Sequence, residues 1–193
     1  VTDVAAGSTA LADRLGAALR EATGVGVTID ALAPLGGGAC QDNYRVSLTL
    51  AEGPEAGSHR LVLRSDAARS LVGSIARRDE FAVISAARAA GVRTPRARWL
   101  LEGVVAPGRS AYLLDWVDGE AIGRRVVKGP ALAGARAGLA DALASELAKI
   151  HGIRAVGAPS LAGIAMVSGP EEDPCESALR FLWSKDVPLA CPD

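Results

Sequence analysis

Few of the residue types that announce a particular chemistry are present in quantity. Cysteine occurs three times, at Cys40, Cys175 and Cys191, an odd number without metal-ligand spacing, and the 193 residues include only two histidines. That supply argues against a zinc site and makes a reduced cytoplasm the expected compartment. A dominant charge is also missing: 21 Lys and Arg stand against 22 Asp and Glu, so neither nucleic acid nor an anionic membrane is an expected electrostatic partner. No apolar run approaches the roughly 20 residues of a membrane-spanning helix, and no basic segment followed by an apolar one opens the chain. Neither a membrane anchor nor export is therefore expected. Lysine is scarce too: Lys128, Lys149 and Lys185 are the whole set, and arginine supplies the remaining positive charge. With abundant Ala and Gly, that usage suggests a GC-rich bacterial gene. Internal repeats and low-complexity linkers are absent.

The hydrophobic share, 49%, is enough for a real core in one compact domain or two small lobes. Its organising stretch runs from Arg60 to Ala90. Leu61, Val62 and Leu63 read as a short buried strand ending in a cation, Arg64. A polar turn follows, then a helix that carries Glu80 beside the apolar Phe81 and Ile84. A strand-borne cation facing a helix-borne carboxylate is how kinase-type folds hold nucleotide phosphates, and it is also a common surface ion pair.

Ahead of this stretch, Ser8 or Thr9 can cap a helix with Leu11, Leu15, Ala18 and Leu19 on one face, ended by Gly24 or Gly26. Val25 to Leu35 alternates as a strand. Gly36-Gly37-Gly38-Ala39-Cys40-Gln41-Asp42-Asn43 leads into a second strand, Tyr44 to Leu50. Three glycines between strands serve either a plain hairpin turn or a flap whose amides approach phosphates. Ala51 to His59 is a polar loop. Beyond the Glu80 helix, Gly91-Val92-Arg93-Thr94-Pro95 is a stop. Two more strands follow, Ala97 to Leu101 and Ala111 to Trp116, joined by a turn at Ala106-Pro107-Gly108-Arg109. The first half thus predicts a five-stranded antiparallel sheet packed on one helix. After Asp118-Gly119-Glu120, one long helix is predicted from Pro130 to Gly152 with Leu132, Leu139, Leu143, Leu147 and Ile150 in a stripe. The proline-punctuated tail holds one short helix, Glu176 to Ser184.

In this order the segments resemble the aminoglycoside phosphotransferase and choline kinase-like family over residues 25–155. Gly37 to Val46 resembles its glycine-rich flap, Leu61 to Arg64 its third strand, Arg78 to Phe81 the helix with the partner Glu, Ala90 to Pro95 its turn into the next strand, Tyr112 to Glu120 its hinge, and Leu143 to Gly152 the first long helix of its C-lobe. The resemblance implies an α+β fold: a protein-kinase-like N-lobe with a five-stranded antiparallel sheet and one packed helix, plus the first helices of a C-lobe. It divides the chain into a nucleotide-binding N-lobe, residues 1–117, and a hinge with an incomplete helical C-lobe, residues 118–193. It implies ATP (or GTP) with Mg²⁺ as cofactor and an unnamed hydroxyl-bearing small molecule as acceptor. Backbone amides of Gly37, Gly38, Ala39, Cys40 and Gln41 would face the phosphates, Arg64 would neutralise them, and Glu80 would position Arg64. The hinge, Asp115, Trp116 and Val117, would read the purine through the Asp115 carbonyl and the Val117 amide. Arginine in place of the more usual lysine puts a planar fork where a point charge is expected.

The family's His-Gly-Asp motif, and the Asn five residues after its Asp, do not appear. His151-Gly152 is followed by Ile153, and Ala158 stands at the Asn position. His151 is expected to close its helix. Glu171, Glu172, Asp173, Glu176, Asp186 and Asp193 lack any catalytic context and are expected to form a solvated face. No catalytic residue and no metal ligand is assigned in this chain, so little phosphoryl transfer is expected from it alone. A fragment of a longer kinase, one half of a split kinase and a pseudokinase-like interaction module all fit this pattern. Self-association, or a partner chain covering the incomplete C-lobe, is expected with them. An α+β binding protein with a structural turn and an ordinary ion pair is the alternative from another class.

Overall fold

Leu11, Leu15 and Leu19 recur every fourth residue, and this stripe is the buried face of α1 (Thr2–Thr23) in the computed structural model, which describes residues 2–36, 41–66, 75–154, 161 and 164. The helix begins ahead of Ser8 and Thr9, which therefore do not cap it. Gly7 weakens the preceding turn by about 1 kcal/mol relative to alanine. The Ser8 hydroxyl instead donates to the Leu32 carbonyl at 3.2 Å. Gly24, at φ 73°, ends the helix as its sequence suggests.

Five strands follow the predicted alternation: β1 (Val27–Pro34), β2 (Gln41–Leu50), β3 (Gly57–Asp66), β4 (Ala97–Glu102) and β5 (Ser110–Asp115). They form one sheet in the order β1-β2-β3-β5-β4, antiparallel throughout, with β3 at its centre. The polar loop before β3 is shorter than expected, because Gly57 to His59 pair with Leu48 to Leu50. Trp99 adopts φ 44° where β4 slips register against β5, a local bulge that a side-chain-bearing residue tolerates only with support.

Strand alternation divides the sheet into two faces. Leu61 and Leu63 of β3 join Val46, Leu48, Leu50, Ala111 and Leu113 in a core closed by the leucines of α1. Each large side chain buried there contributes about 1.5–3 kcal/mol. The intervening residues Val62 and Arg64 face the other way, toward α2 (Arg77–Ala89), which packs on β3, β4 and β5. On that side the Phe81 ring meets buried Tyr112 edge-on, with centroids 5.7 Å apart. The architecture is therefore the expected α+β sheet, with a helix on each face where one had been predicted. Gly91, at φ 79°, stops α2: the Val92 amide reaches the Ala87 carbonyl and the Gly91 amide that of Arg88.

Past the sheet the described chain is helical: α3 (Gly123–Lys128), a 3₁₀ turn (Pro130–Leu132), α4 (Ala133–Arg136) and α5 (Leu139–Gly152). The single helix predicted from Pro130 is thus broken. Glycines at 134 and 138 weaken its first half, and Arg136 turns back to donate to the carbonyls of Val126 and Gly129. The tail helix expected over 176–184 lies outside the described residues, as does the acidic cluster around it.

Candidate functional site

The α2 side of the sheet carries the polar row that matters. Asn43 on β2, Arg64 on β3 and Tyr112 on β5 are direct cross-strand neighbours, so their side chains share one face. Glu80 enters this face from the first turn of α2, and the Arg64 guanidinium donates to its carboxylate at 2.7 Å. Both side chains are about four-fifths covered, 22% and 20% exposed. Burial works against the Arg64 charge, but Glu80 and the Tyr112 hydroxyl outweigh it and raise its pKa. Burial, then the Glu80 charge, pushes the Tyr112 phenol well above its ordinary value, with Arg64 partly opposing. Tyr112 accordingly stays protonated beside the pair.

Arg77, absent from the sequence expectations, is the second cation on Glu80. It donates to the other carboxylate oxygen, while its Nη2 donates to the Ile75 carbonyl at 2.7 Å. Its backbone amide and Nε both reach Asp66 Oδ1, at 3.1 and 3.3 Å. Arg77 lies three residues before Glu80, a helical neighbour spacing visible in Arg77-Arg78-Asp79-Glu80. Asp66, at the end of β3, carried no such signal because a connecting segment separates it from α2.

The hinge residues begin beside the middle of β3, back along the strand from Arg64. Asp115 pairs with Leu61, its amide donates to the Arg96 carbonyl at 3.0 Å, and its carboxylate is ion-paired to Arg98. Trp116 donates its amide to the Arg60 carbonyl at 3.0 Å and its indole N–H to Asp118 at 2.8 Å, while the Arg60 guanidinium lies 6.0 Å from its ring. Val117 is 66% exposed, and among the described residues nothing accepts a hydrogen bond from its amide. The structure therefore brings Arg64 and Glu80 together and sets Asp115, Trp116 and Val117 about four strand residues, roughly 13 Å, away along β3. Gly37, Gly38, Ala39 and Cys40 lie outside the described residues; Gln41 opens β2 opposite Asp66, two residues before Asn43, the strand partner of Arg64. His151-Gly152 closes α5, as its sequence suggests.

Among the described residues no three His, Cys, Asp or Glu side chains gather in a group able to hold a metal ion, and no helix is long and apolar enough to cross a membrane. An antiparallel five-stranded sheet, a central strand cation held by a helix carboxylate, and a direct exit from the last strand into helices define a kinase-like N-terminal lobe.

The chain belongs to the phosphotransferase enzyme family, whose family model matches residues 31–184. The match begins inside β1, leaving α1 outside, and extends past α5. No curated protein and no solved structure matches the chain.

Proposed function

We propose that this chain is the nucleotide-binding part of a small-molecule kinase of the aminoglycoside phosphotransferase and choline kinase-like type, taking ATP (or GTP) with Mg²⁺ and serving transfer to a hydroxyl acceptor. The observation that carries the reading is the Arg64–Glu80 ion pair, on the sheet face that joins the hinge to the start of β2. Residues 1–117 form the nucleotide lobe in this reading, and residues 118–193 the hinge and part of a helical lobe.

Each group has a task in keeping with its position. The Arg64 fork engages phosphate oxygens, and Glu80 limits where that fork can point. The family resemblance gives the amides of Gly37 to Gln41 the same phosphates; of these residues, Gly37 to Cys40 lie outside the described ones. The unpartnered Val117 amide and the Asp115 carbonyl offer one donor and one acceptor to a purine edge, with apolar Val62 and Leu114 on the adjoining strands. The donor set suits the nucleotide's phosphates. No group of three His, Cys, Asp or Glu side chains able to hold a metal occurs among the described residues, and no step is assigned to the metal.

The His151-Gly152 pair is followed by Ile153 rather than Asp, with Ala158 five residues on, so the sequence given contains no His-Gly-Asp motif. That observation favours a second reading beside the first: a split-kinase half or a pseudokinase-like module that binds nucleotide without transferring phosphate. Both readings give this chain alone no turnover. Calorimetric titration with ATP and Mg²⁺, beside a phosphate-release assay, tests them. Weak ATP binding is expected, reduced at least about tenfold by Arg64→Ala, because a charge-assisted contact contributes about 1.5–3 kcal/mol. Equal ATP affinity in the two proteins would sink the nucleotide reading. Turnover by the isolated chain would show that a catalytic carboxylate lies elsewhere in it.

A further inference from the structure

Resting on the nucleotide reading, the geometry points to Arg77 as a second positioning residue, which holds Glu80 from the side opposite Arg64 so that Arg64 can engage a phosphate without stranding a buried carboxylate.

The two oxygens of Glu80 are divided between the two arginines: Oε1 takes Arg64 and Oε2 takes Arg77. Their surroundings differ in the way such a division needs. The Arg77 side chain is 4% exposed and that of Arg64 22%. Arg77 is anchored on four counts, through Glu80, Asp66 Oδ1 by both amide and Nε, and the Ile75 carbonyl. A buried guanidinium needs this degree of compensation, and having it fixes the head in place. Arg64 is the partner with access to solvent.

An arriving phosphate competes with Glu80 for Arg64. If Arg64 were the sole cation on Glu80, its departure would leave a largely covered carboxylate uncompensated. Glu80 would then tend to retain Arg64, which weakens the phosphate contact. With Arg77 in place Glu80 keeps a partner throughout. The groups facing Glu80 are Arg64 from β3, Tyr112 from β5 and Arg77 from its own helix, with Asp66 behind Arg77. Tyr112 is neutral, so among these groups Arg77 is the cation left when Arg64 moves. Asp66 ends β3 and Arg77 begins α2, so the same clasp also sets the register at which Glu80 meets the sheet.

The test is a double-mutant cycle on the 193-residue chain, with ADP and Mg²⁺ as the calorimetric probe and a thermal melt to check folding. Arg77→Met should weaken ADP binding about tenfold when Glu80 is present and less than about twofold in a Glu80→Gln background, because its effect runs through that carboxylate. Arg77→Lys, which keeps the charge but cannot span Glu80 and Asp66 together, should recover part of the loss. Equal losses in both backgrounds, or none in either, would overturn the proposal and leave Arg77 a support of the fold alone. If Arg77→Met does not melt cooperatively, Arg77→Lys takes its place in the cycle, with a smaller loss that must still vanish with Glu80→Gln. An unchanged ADP affinity in Arg64→Ala would refute the nucleotide reading itself, and the role of Arg77 with it.

Discussion

Leu63, Arg64 and Ser65 are consecutive on one strand, yet the middle residue meets an environment its neighbours never see. Leu63 and Ser65 are fully buried on the α1 side, whereas Arg64 faces α2. The pleat produces this separation, and it lets one strand serve both the core and the site. Leu63→Ala should therefore cost about 2–5 kcal/mol of stability, read as a lower urea midpoint. Arg64→Ala should cost less, since its side chain already touches solvent. A Leu63→Ala protein as stable as the parent would mean that the α1 face is not the main core. Arg64 and Glu80 were legible in the sequence because one ends an apolar strand and the other sits beside an apolar helical stripe. Arg77 was one of four consecutive charged positions, Arg77 to Glu80, and its burial depends on Asp66, which no local pattern connects to it.

At the scale of elements, the turn between β2 and β3 is tied across the sheet. Glu55 is ion-paired to Arg96 and Arg98, and Arg98 also holds Asp115, so one small network joins this turn to β4 and β5. The Arg96 hydrogen bond holds the Glu55 carboxyl below its ordinary value of 4.5, against burial, with Arg98 adding to the effect. A carboxyl whose folded pKa is depressed stabilises the fold fully above its unfolded pKa and loses that contribution as pH falls through the folded one. The stability difference between the parent and Glu55→Gln should thus be present at pH 7 and shrink as pH drops below about 4.5. Chemical denaturation at several pH values measures it, and a difference that grows on acidification would exclude the network as its source. The network was invisible in the sequence, where Ala51 to His59 reads only as a polar loop.

For the molecule as a whole, the contrast is between a closed sheet core and an open helical surface. The leucines of α1 are covered, but Leu143, Leu147 and Ile150 of α5 are 60%, 50% and 46% exposed. Glu146 ties this helix to the turn after α2, accepting the Arg93 amide at 2.8 Å and pairing with Lys149, which leaves the apolar stripe free of those contacts. An apolar row of this kind favours association. We expect the chain to self-associate with rising concentration, and Leu143→Gln with Leu147→Gln to reduce this without lowering the melting temperature. Light scattering coupled to size exclusion reads the first and a thermal melt the second. A parent protein that stays monomeric at high concentration would refute the expectation.

Period-two and period-3.6 patterns are properties of neighbouring residues, so the sequence alone determined the five strands, the α2 stop at Gly91 and the opposition of Arg64 to Glu80. Other features were decided only by contacts between residues far apart in the chain. These are the placement of β5 between β3 and β4, the seating of α1 on the face opposite α2, and the Asp66–Arg77 clasp. Even the break before α5 belongs here in part, because a continuous leucine stripe favours one helix, while Arg136 gains hydrogen bonds to Val126 and Gly129 by turning back. Local preference amounts to about a kcal/mol per residue or less, and burial and buried charge pairing outweigh it wherever the two disagree.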